Sequence, residues 1–205
     1  MTSAIPPAPS AVPPGAAALL LNLAREAIEG ALAGRRPRPW REAAGACGAV
    51  LERTGASFVT LTQGGQLRGC IGSLEAYQPL AEDVRRNAVA AAFDDPRFPP
   101  LSPGEAGRTR IEVSVLSAPE PIEFADRADL LRQLRPGLDG LILEAPAHRG
   151  TFLPQVWEQL PRPEQFLAHL VRKAYLPAGY WSEDIKVWRY SVTAFEEDPP
   201  AGADP

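Results

Sequence analysis

The sequence predicts an α+β fold, a mixed or antiparallel sheet with flanking helices. Three observations carry this. Helical and strand periodicities are interspersed along the chain rather than segregated. The pair Gly64-Gly65 lies between two apolar runs and marks a hairpin, an antiparallel connection. Arg110 to Ser117 alternates Ile111, Val113 and Val115 against Glu112 and Ser114, the period of a half-buried strand.

Each element follows in order. Proline crowds both ends, with Pro6, Pro7, Pro9, Pro13 and Pro14 at one and Pro199, Pro200 and Pro205 at the other. Such stretches build no packed core, so residues 1–15 and 197–205 read as disordered tails around one ordered region, 16–196. Ala17 to Ala33 reads as a helix with Leu20, Leu23, Ala27 and Ala31 on one stripe and Gly34 at its stop. Arg35 to Gly55 is rich in Gly, Pro and Ala and gives no clear element. Ala56 to Thr62 and Gln66 to Ile71 are the hairpin strands. A helix is predicted from Pro79 to Phe93. Proline suits its first turn, Glu82 and Asp83 suit its positive end, and Leu80, Val84, Ala88 and Ala91 form the apolar stripe. Asp94-Asp95-Pro96 stops it. Asp126 to Leu134 reads as a short helix. Leu138 to Ala145 and Thr151 to Leu153 read as strands around a loop holding His148. Pro163 to Tyr175 is an amphipathic helix, and Asp184 to Ala194 a last strand.

Composition excludes several function classes. A chain of 205 residues that is 45% hydrophobic and 22% charged is close to the globular average, which rules out wholesale disorder. A net charge of −4 argues against gripping nucleic acid by bulk positive charge. No apolar run approaches the ~20 residues of a membrane span, and no basic segment precedes the stretch Ala16–Leu23. A cytoplasmic protein is expected. Two cysteines, Cys47 and Cys70, cannot form a disulfide framework or a cysteine-based zinc site, and no metal site is expected. There is no phosphate-cradling Gly-rich loop, Rossmann fingerprint, Cys-x-x-Cys, His-Glu-x-x-His or Gly-x-Ser-x-Gly elbow. Nucleotide hydrolysis, dinucleotide redox and zinc hydrolysis are therefore poor readings, and nothing names a cofactor.

The chemistry concentrates in Leu67-Arg68-Gly69-Cys70-Ile71-Gly72. A period of two puts Arg68 and Cys70 on one face. A guanidinium there favours thiolate, and the flanking glycines imply a bulge or a close backbone approach. The plainer account is that a lone strand cysteine is a small buried hydrophobe. Asp95 and Arg97 sit in a Pro-rich turn that suits either a helix stop or a site rim. Glu112 and Ser114 share a strand face, and Glu112 could pair with Arg68 were their strands neighbours. His148 and His169 are the two histidines, and no spacing demands a pair with Cys70.

The hexapeptide is one of six blocks. Phe58-Val59-Thr60-Leu61 precedes it; Asp95-Pro96-Arg97-Phe98-Pro99-Pro100-Leu101 and Glu112-Val113-Ser114-Val115-Leu116-Ser117 come after. Thr151-Phe152-Leu153-Pro154-Gln155-Val156 and Arg172-Lys173-Ala174 complete the series. In this order, over about residues 17–196, the chain resembles the AMMECR domain family. Tyr175 stands where that family commonly has glycine. The resemblance implies a larger mixed domain and a smaller subdomain, with the hexapeptide at a groove between them. Prokaryotic members resemble protein A of the AmmeMemoRadiSam set, encoded with a Memo-type dioxygenase homologue and a radical SAM protein. It thus implies a bacterial component, catalytic or accessory, of a modification pathway acting with those two partners. Cys70 is then the candidate nucleophile or covalent anchor and Arg68 the anion binder, beside Gly69 and Gly72. Asp95, Arg97 and Glu112 are the orienting charges, Ser114 is a further binding residue, and Thr151, Gln155 and Lys173 complete a far wall. The alternative is a non-enzymatic adaptor for protein or nucleic acid whose hexapeptide merely holds a tight hairpin.

Overall fold

The computed structural model describes residues 12–36, 38–42 and 44–198. In chain order the elements are α1 (Pro14–Leu32), two 3-10 turns (Trp40–Glu42 and Gly45–Cys47), α2 (Gly48–Glu52), β1 (Thr54–Gly55), β2 (Ser57–Gln63), β3 (Gln66–Gly72), β4 (Gln78–Pro79) and α3 (Leu80–Phe93). Then come α4 (Pro103–Ala106), β5 (Arg110–Leu116), β6 (Glu120–Pro121), α5 (Arg127–Gln133), β7 (Gly140–Ala145) and β8 (His148–Phe152). A 3-10 turn (Pro154–Glu158), α6 (Pro163–Lys173), β9 (Lys186–Tyr190) and β10 (Val192–Glu196) follow. The α+β class holds. The chain forms two units: residues up to Leu116 and from Thr193 make the first, Ser117–Val192 the second. No described helix is long and apolar enough to cross a membrane.

The first unit is built on a four-stranded sheet of order β10-β5-β2-β3, with β2 antiparallel to both β3 and β5. Gly64 (φ 54) and Gly65 (φ 75) both occupy the left-handed region, which only glycine enters cheaply, and close the β2–β3 hairpin. One sheet face supplies Val59, Leu61, Ile111, Val113 and Val115 to a core shared with Leu20, Ile28, Leu80, Val84 and Ala88 of the helices. Burying apolar side chains this way is the main stabilising term. A buried carboxylate fixes where α3 lies. Asp83 accepts from the Ser57 amide (2.8 Å) and hydroxyl (2.7 Å), the Ser73 hydroxyl (2.9 Å) and the Asn87 amide (2.9 Å). Its sequence position suggested only a helix-dipole role; in the fold it stitches β2 and β3 to α3.

The second unit has its own sheet, β6-β9-β7-β8, all antiparallel, and its own core. Trp157 stacks on Phe166 at 3.8 Å and donates its Nε1–H to the Asp139 carbonyl at 2.7 Å. Asp139, fully buried, is neutralised by Arg135.

Several expected boundaries move. The first helix begins at Pro14, where a residue without an amide hydrogen costs nothing, and Val12 ahead of it is buried. The expected tails 1–15 and 197–205 otherwise lie mostly outside the described residues, though Glu197 grips Arg25 through both carboxylate oxygens. The ambiguous stretch 35–55 becomes two 3-10 turns, α2 and the short β1, which pairs with β4. His148 lies within a strand, the turn being at Ala147 (φ 61). The single strand expected over 184–194 breaks at Ser191 into β9 and β10, which serve different sheets.

Candidate functional site

The hexapeptide occupies β3, at the edge of the first sheet. The register passes from Leu61↔Gly69 to Thr62↔Leu67, so Arg68 is the extra residue of a β-bulge. Both glycines answer steric demands. A Cβ on Gly69 would lie 2.1 Å from the Ala91 carbonyl oxygen of α3, and one on Gly72 would lie 2.2 Å from the Phe58 ring. Gly69 thereby lets α3 press against the strand.

Between them Cys70 is held on three sides. Its amide donates to Asp95 Oδ2 at 2.8 Å, and its carbonyl accepts from Arg97 Nη2 at 3.3 Å. The turn after α3 thus caps the backbone groups that an edge strand leaves open. The Thr60 hydroxyl lies 3.5 Å from Sγ and donates to it. Cys70 is partly exposed; Cys47 stands apart, packed on the first core.

Asp95 and Arg97 form a two-point ion pair, Nε to Oδ1 at 2.9 Å and Nη2 to Oδ2 at 2.7 Å. The Arg97 hydrogen bond outweighs the opposing effect of burial and holds Asp95 well below the ordinary carboxylate range, helped by the Cys70 amide. Asp95 in turn holds Arg97 more firmly protonated. The Asp95 side chain is buried, whereas Arg97 keeps 55% of its side chain exposed.

Arg68 behaves differently from the sequence expectation. The residue is only 9% exposed, and its guanidinium meets Glu105, Nε to Oε1 at 3.0 Å and Nη2 to Oε2 at 3.3 Å. Its Nη1 is buried and makes no hydrogen bond. Arg68, then the amide and hydroxyl of Ser102, hold the Glu105 carboxyl down to about 2. Its charge is spent within the fold, so Arg68 offers an anion no open face. Nor does it meet Glu112, because β2 lies between their strands. Glu112 instead stands opposite Thr60, which stands opposite Cys70, making one polar row across three strands. Ser114 donates to Glu112 at 3.4 Å, and among the described residues no cation pairs with it.

Sequence reasoning missed Thr60 and Glu105. The first needed the hairpin register. The second carried a signal, the Ser102-Pro103-Gly104-Glu105 spacing of a capping box, whose carboxylate does accept from the Ser102 amide at 2.9 Å.

Thr151, Gln155 and Lys173 belong to the second unit. Thr151 on β8 lies 3.3 Å from the Tyr190 hydroxyl, which itself donates to the Phe152 carbonyl. Gln155 is exposed in its 3-10 turn, and Lys173 is exposed in the last turn of α6. Both histidines are there too. His148 Nδ1 donates to the Ala174 carbonyl at 2.9 Å, and His169 Nε2 accepts from Arg172 at 2.8 Å. Beyond Lys173, Tyr175 takes φ 59 and is 89% exposed. Its amide bonds Arg172 O and the next amide bonds Val171 O, the closing pair of a Schellman motif with tyrosine in the glycine place.

Fold and site together define a two-unit α+β protein with a clamped cysteine at a sheet edge. Among the described residues no group of three or more His, Cys, Asp or Glu could hold a metal ion. The chain belongs to the AMMECR1 family, whose model matches residues 21–195. A protein of Thermofilum pendens is 38% identical over 199 residues, covering 90% of this chain and 91% of its own. Protein MJ0810 of Methanocaldococcus jannaschii is 41% identical over 143 residues, 67% of this chain and 69% of its own. The crystal structure of Uncharacterized Protein PH0010 from Pyrococcus horikoshii superposes with a TM-score of 0.76 at 36% identity, covering 94% of this chain and 97% of that one. These relatives are archaeal and lend no support to a bacterial source.

Proposed function

We propose that the protein is a component of a cytoplasmic modification pathway acting with a radical SAM protein and a Memo-type dioxygenase homologue, and that Cys70 is its nucleophile or covalent anchor. The pathway and its two partners rest on the resemblance of the sequence blocks, and the observation that supports the role of Cys70 is the clamp itself. Asp95 and Arg97 fix the backbone of Cys70 from one side, while Thr60 offers a hydroxyl hydrogen to its sulfur. The Thr60 hydroxyl contact fixes the direction of the sulfur. Fixing the main chain on both polar atoms also costs nothing at the moment of reaction.

A second reading has its own support. Gly69 and Gly72 are each explained by packing alone, as an adaptor whose hexapeptide only shapes a hairpin would require. Alkylation of Cys70 in the folded protein, followed by intact mass with Cys47→Ala as background, separates the two. A rate at pH 7 matching or exceeding that of a free thiol supports the nucleophile. A sulfur that reacts only on unfolding supports the adaptor. Reconstitution with the two partners then asks whether Cys70→Ser abolishes product formation while leaving the fold intact.

A further inference from the structure

The exposed positive charge beside Cys70 comes from Arg97, and that guanidinium is only partly committed. Nε and one hydrogen of Nη2 serve Asp95, and Nη2 also reaches the Cys70 carbonyl. Nη1 makes no hydrogen bond among the described residues, although a guanidinium has donors on all three nitrogens. The Phe98 ring lies near both this guanidinium and that of Arg68 on β3, with Arg97 Cζ 5.5 Å and Arg68 Cζ 6.0 Å from the ring centre. Arg68 is buried and answered by Glu105, so it adds no field that a solute could meet.

We infer that the free Nη1 edge of Arg97 receives an anionic group, carboxylate or phosphate, on the compound that reacts at Cys70. This rests on the reading of Cys70 as nucleophile or anchor and names the class of substrate for it. Because Arg97 also holds the Cys70 carbonyl, an anion seated on Nη1 is delivered beside that residue. The surrounding charges set the size of the effect. Asp95 lies behind Arg97, buried, and cancels part of its charge at a distance while leaving the outer edge positive close up. Glu112 is on the same sheet face but two strands away, about 10 Å by strand spacing. Asp94 is exposed in the same turn. The preference for an anion is thus real at contact and modest in size.

Two alkylating reagents of nearly equal shape test it, anionic iodoacetate and neutral iodoacetamide, on the full chain carrying Cys47→Ala. In both, the thiolate sulfur bonds the methylene carbon as the carbon–iodine bond breaks. Iodide leaves with the bonding pair, and the thiol proton goes to buffer. Each rate is divided by that of the urea-unfolded chain. The expected result is a folded-state preference for iodoacetate of about three- to tenfold at low ionic strength, shrinking as salt screens it. Arg97→Gln brings the ratio to one; the readout is the ratio and not either rate alone, because loss of Arg97 from the clamp changes the reactivity of Cys70 toward both reagents. Protection against iodoacetamide by inorganic phosphate or by acetate, at constant ionic strength, then tells phosphate-bearing from carboxylate-bearing substrates. A ratio at or below one that ignores salt overturns the inference, and needs no variant should Arg97→Gln fold poorly. Failure of both reagents on the folded protein overturns the underlying reading of Cys70 instead.

Discussion

Gly69→Ala tests whether the residue before the cysteine serves packing or ligand binding. The added Cβ would stand 2.1 Å from the Ala91 carbonyl oxygen and 3.1 Å from its carbon, where contact at 3.4 Å is ordinary. Strand and helix would have to part by about 1.3 Å, and what meets the methyl group is helix backbone, which cannot rotate aside. Nor can α3 lift freely, because Asp83 ties it to Ser57 and Ser73. Overpacking against backbone costs about 3 kcal/mol or more, equivalent to a fall in melting temperature of about 6–12 °C for a chain this long. Urea denaturation followed by far-UV circular dichroism reads the loss, and amide exchange in α3 places it in the first unit. Gly104→Ala is the control, because a Cβ there meets nothing within 4 Å and its effect should stay within about 0.5 kcal/mol. A Gly69→Ala protein that loses less than about 1 kcal/mol would refute the packing argument and return Gly69 to the binding residues.

Other outcomes follow from the same geometry. Glu105→Gln leaves the buried Arg68 guanidinium without its counter-charge and is expected to cost about 2–3 kcal/mol, seen as a lower urea midpoint at unchanged slope. The two depressed carboxyls set the acid limit. Glu105 is held down to about 2 from an ordinary 4.5, with Asp95 depressed as well, so their stabilisation is present above that ordinary range and lost as pH falls from about 4.5 toward 2. An acid titration by circular dichroism should show that loss, with a shallower slope for Glu105→Gln. Tyr175→Gly relieves a left-handed tyrosine and should raise stability by about 1 kcal/mol, or about 2–4 °C; a lower melting temperature would mean that glycine's freedom in the unfolded chain outweighs the strain. Thr60→Val removes the hydroxyl that reaches Sγ and should slow Cys70 alkylation at pH 7 by up to about tenfold, with Thr60→Ser holding the parent rate; equal rates in all three would dismiss the hydrogen bond.

What was legible in the sequence was local. Gly64-Gly65 announces a hairpin because only glycine tolerates that turn, and Asp94-Asp95-Pro96 ends α3 because proline forbids continuation. The alternation around Ile111, Val113 and Val115 marks β5 from its period alone. What stayed hidden depends on which strands are neighbours. No local pattern says that β2 intervenes between β3 and β5, so Arg68 looked available to Glu112 when it is held by Glu105. Asp83 carries the same letters as any first-turn acid, and its burial arises only where two strand ends and α3 meet. The face shared by Arg68 and Cys70 failed for a subtler reason. A bulge adds one residue, and strict alternation stops at that point.

The interrupted course of the first unit bears on how the protein is made. The chain leaves that unit at Leu116, builds all of Ser117–Val192, and only then returns to lay β10 beside β5 and to bring Glu197 to Arg25. During synthesis the second unit can therefore finish on the emerging polypeptide while β5 still waits with one side unclaimed. The strand carrying Cys70 is at the opposite edge, and its hairpin forms from residues translated long before. A nascent chain can thus carry its cysteine motif in place while its sheet is one strand short, until β10 arrives.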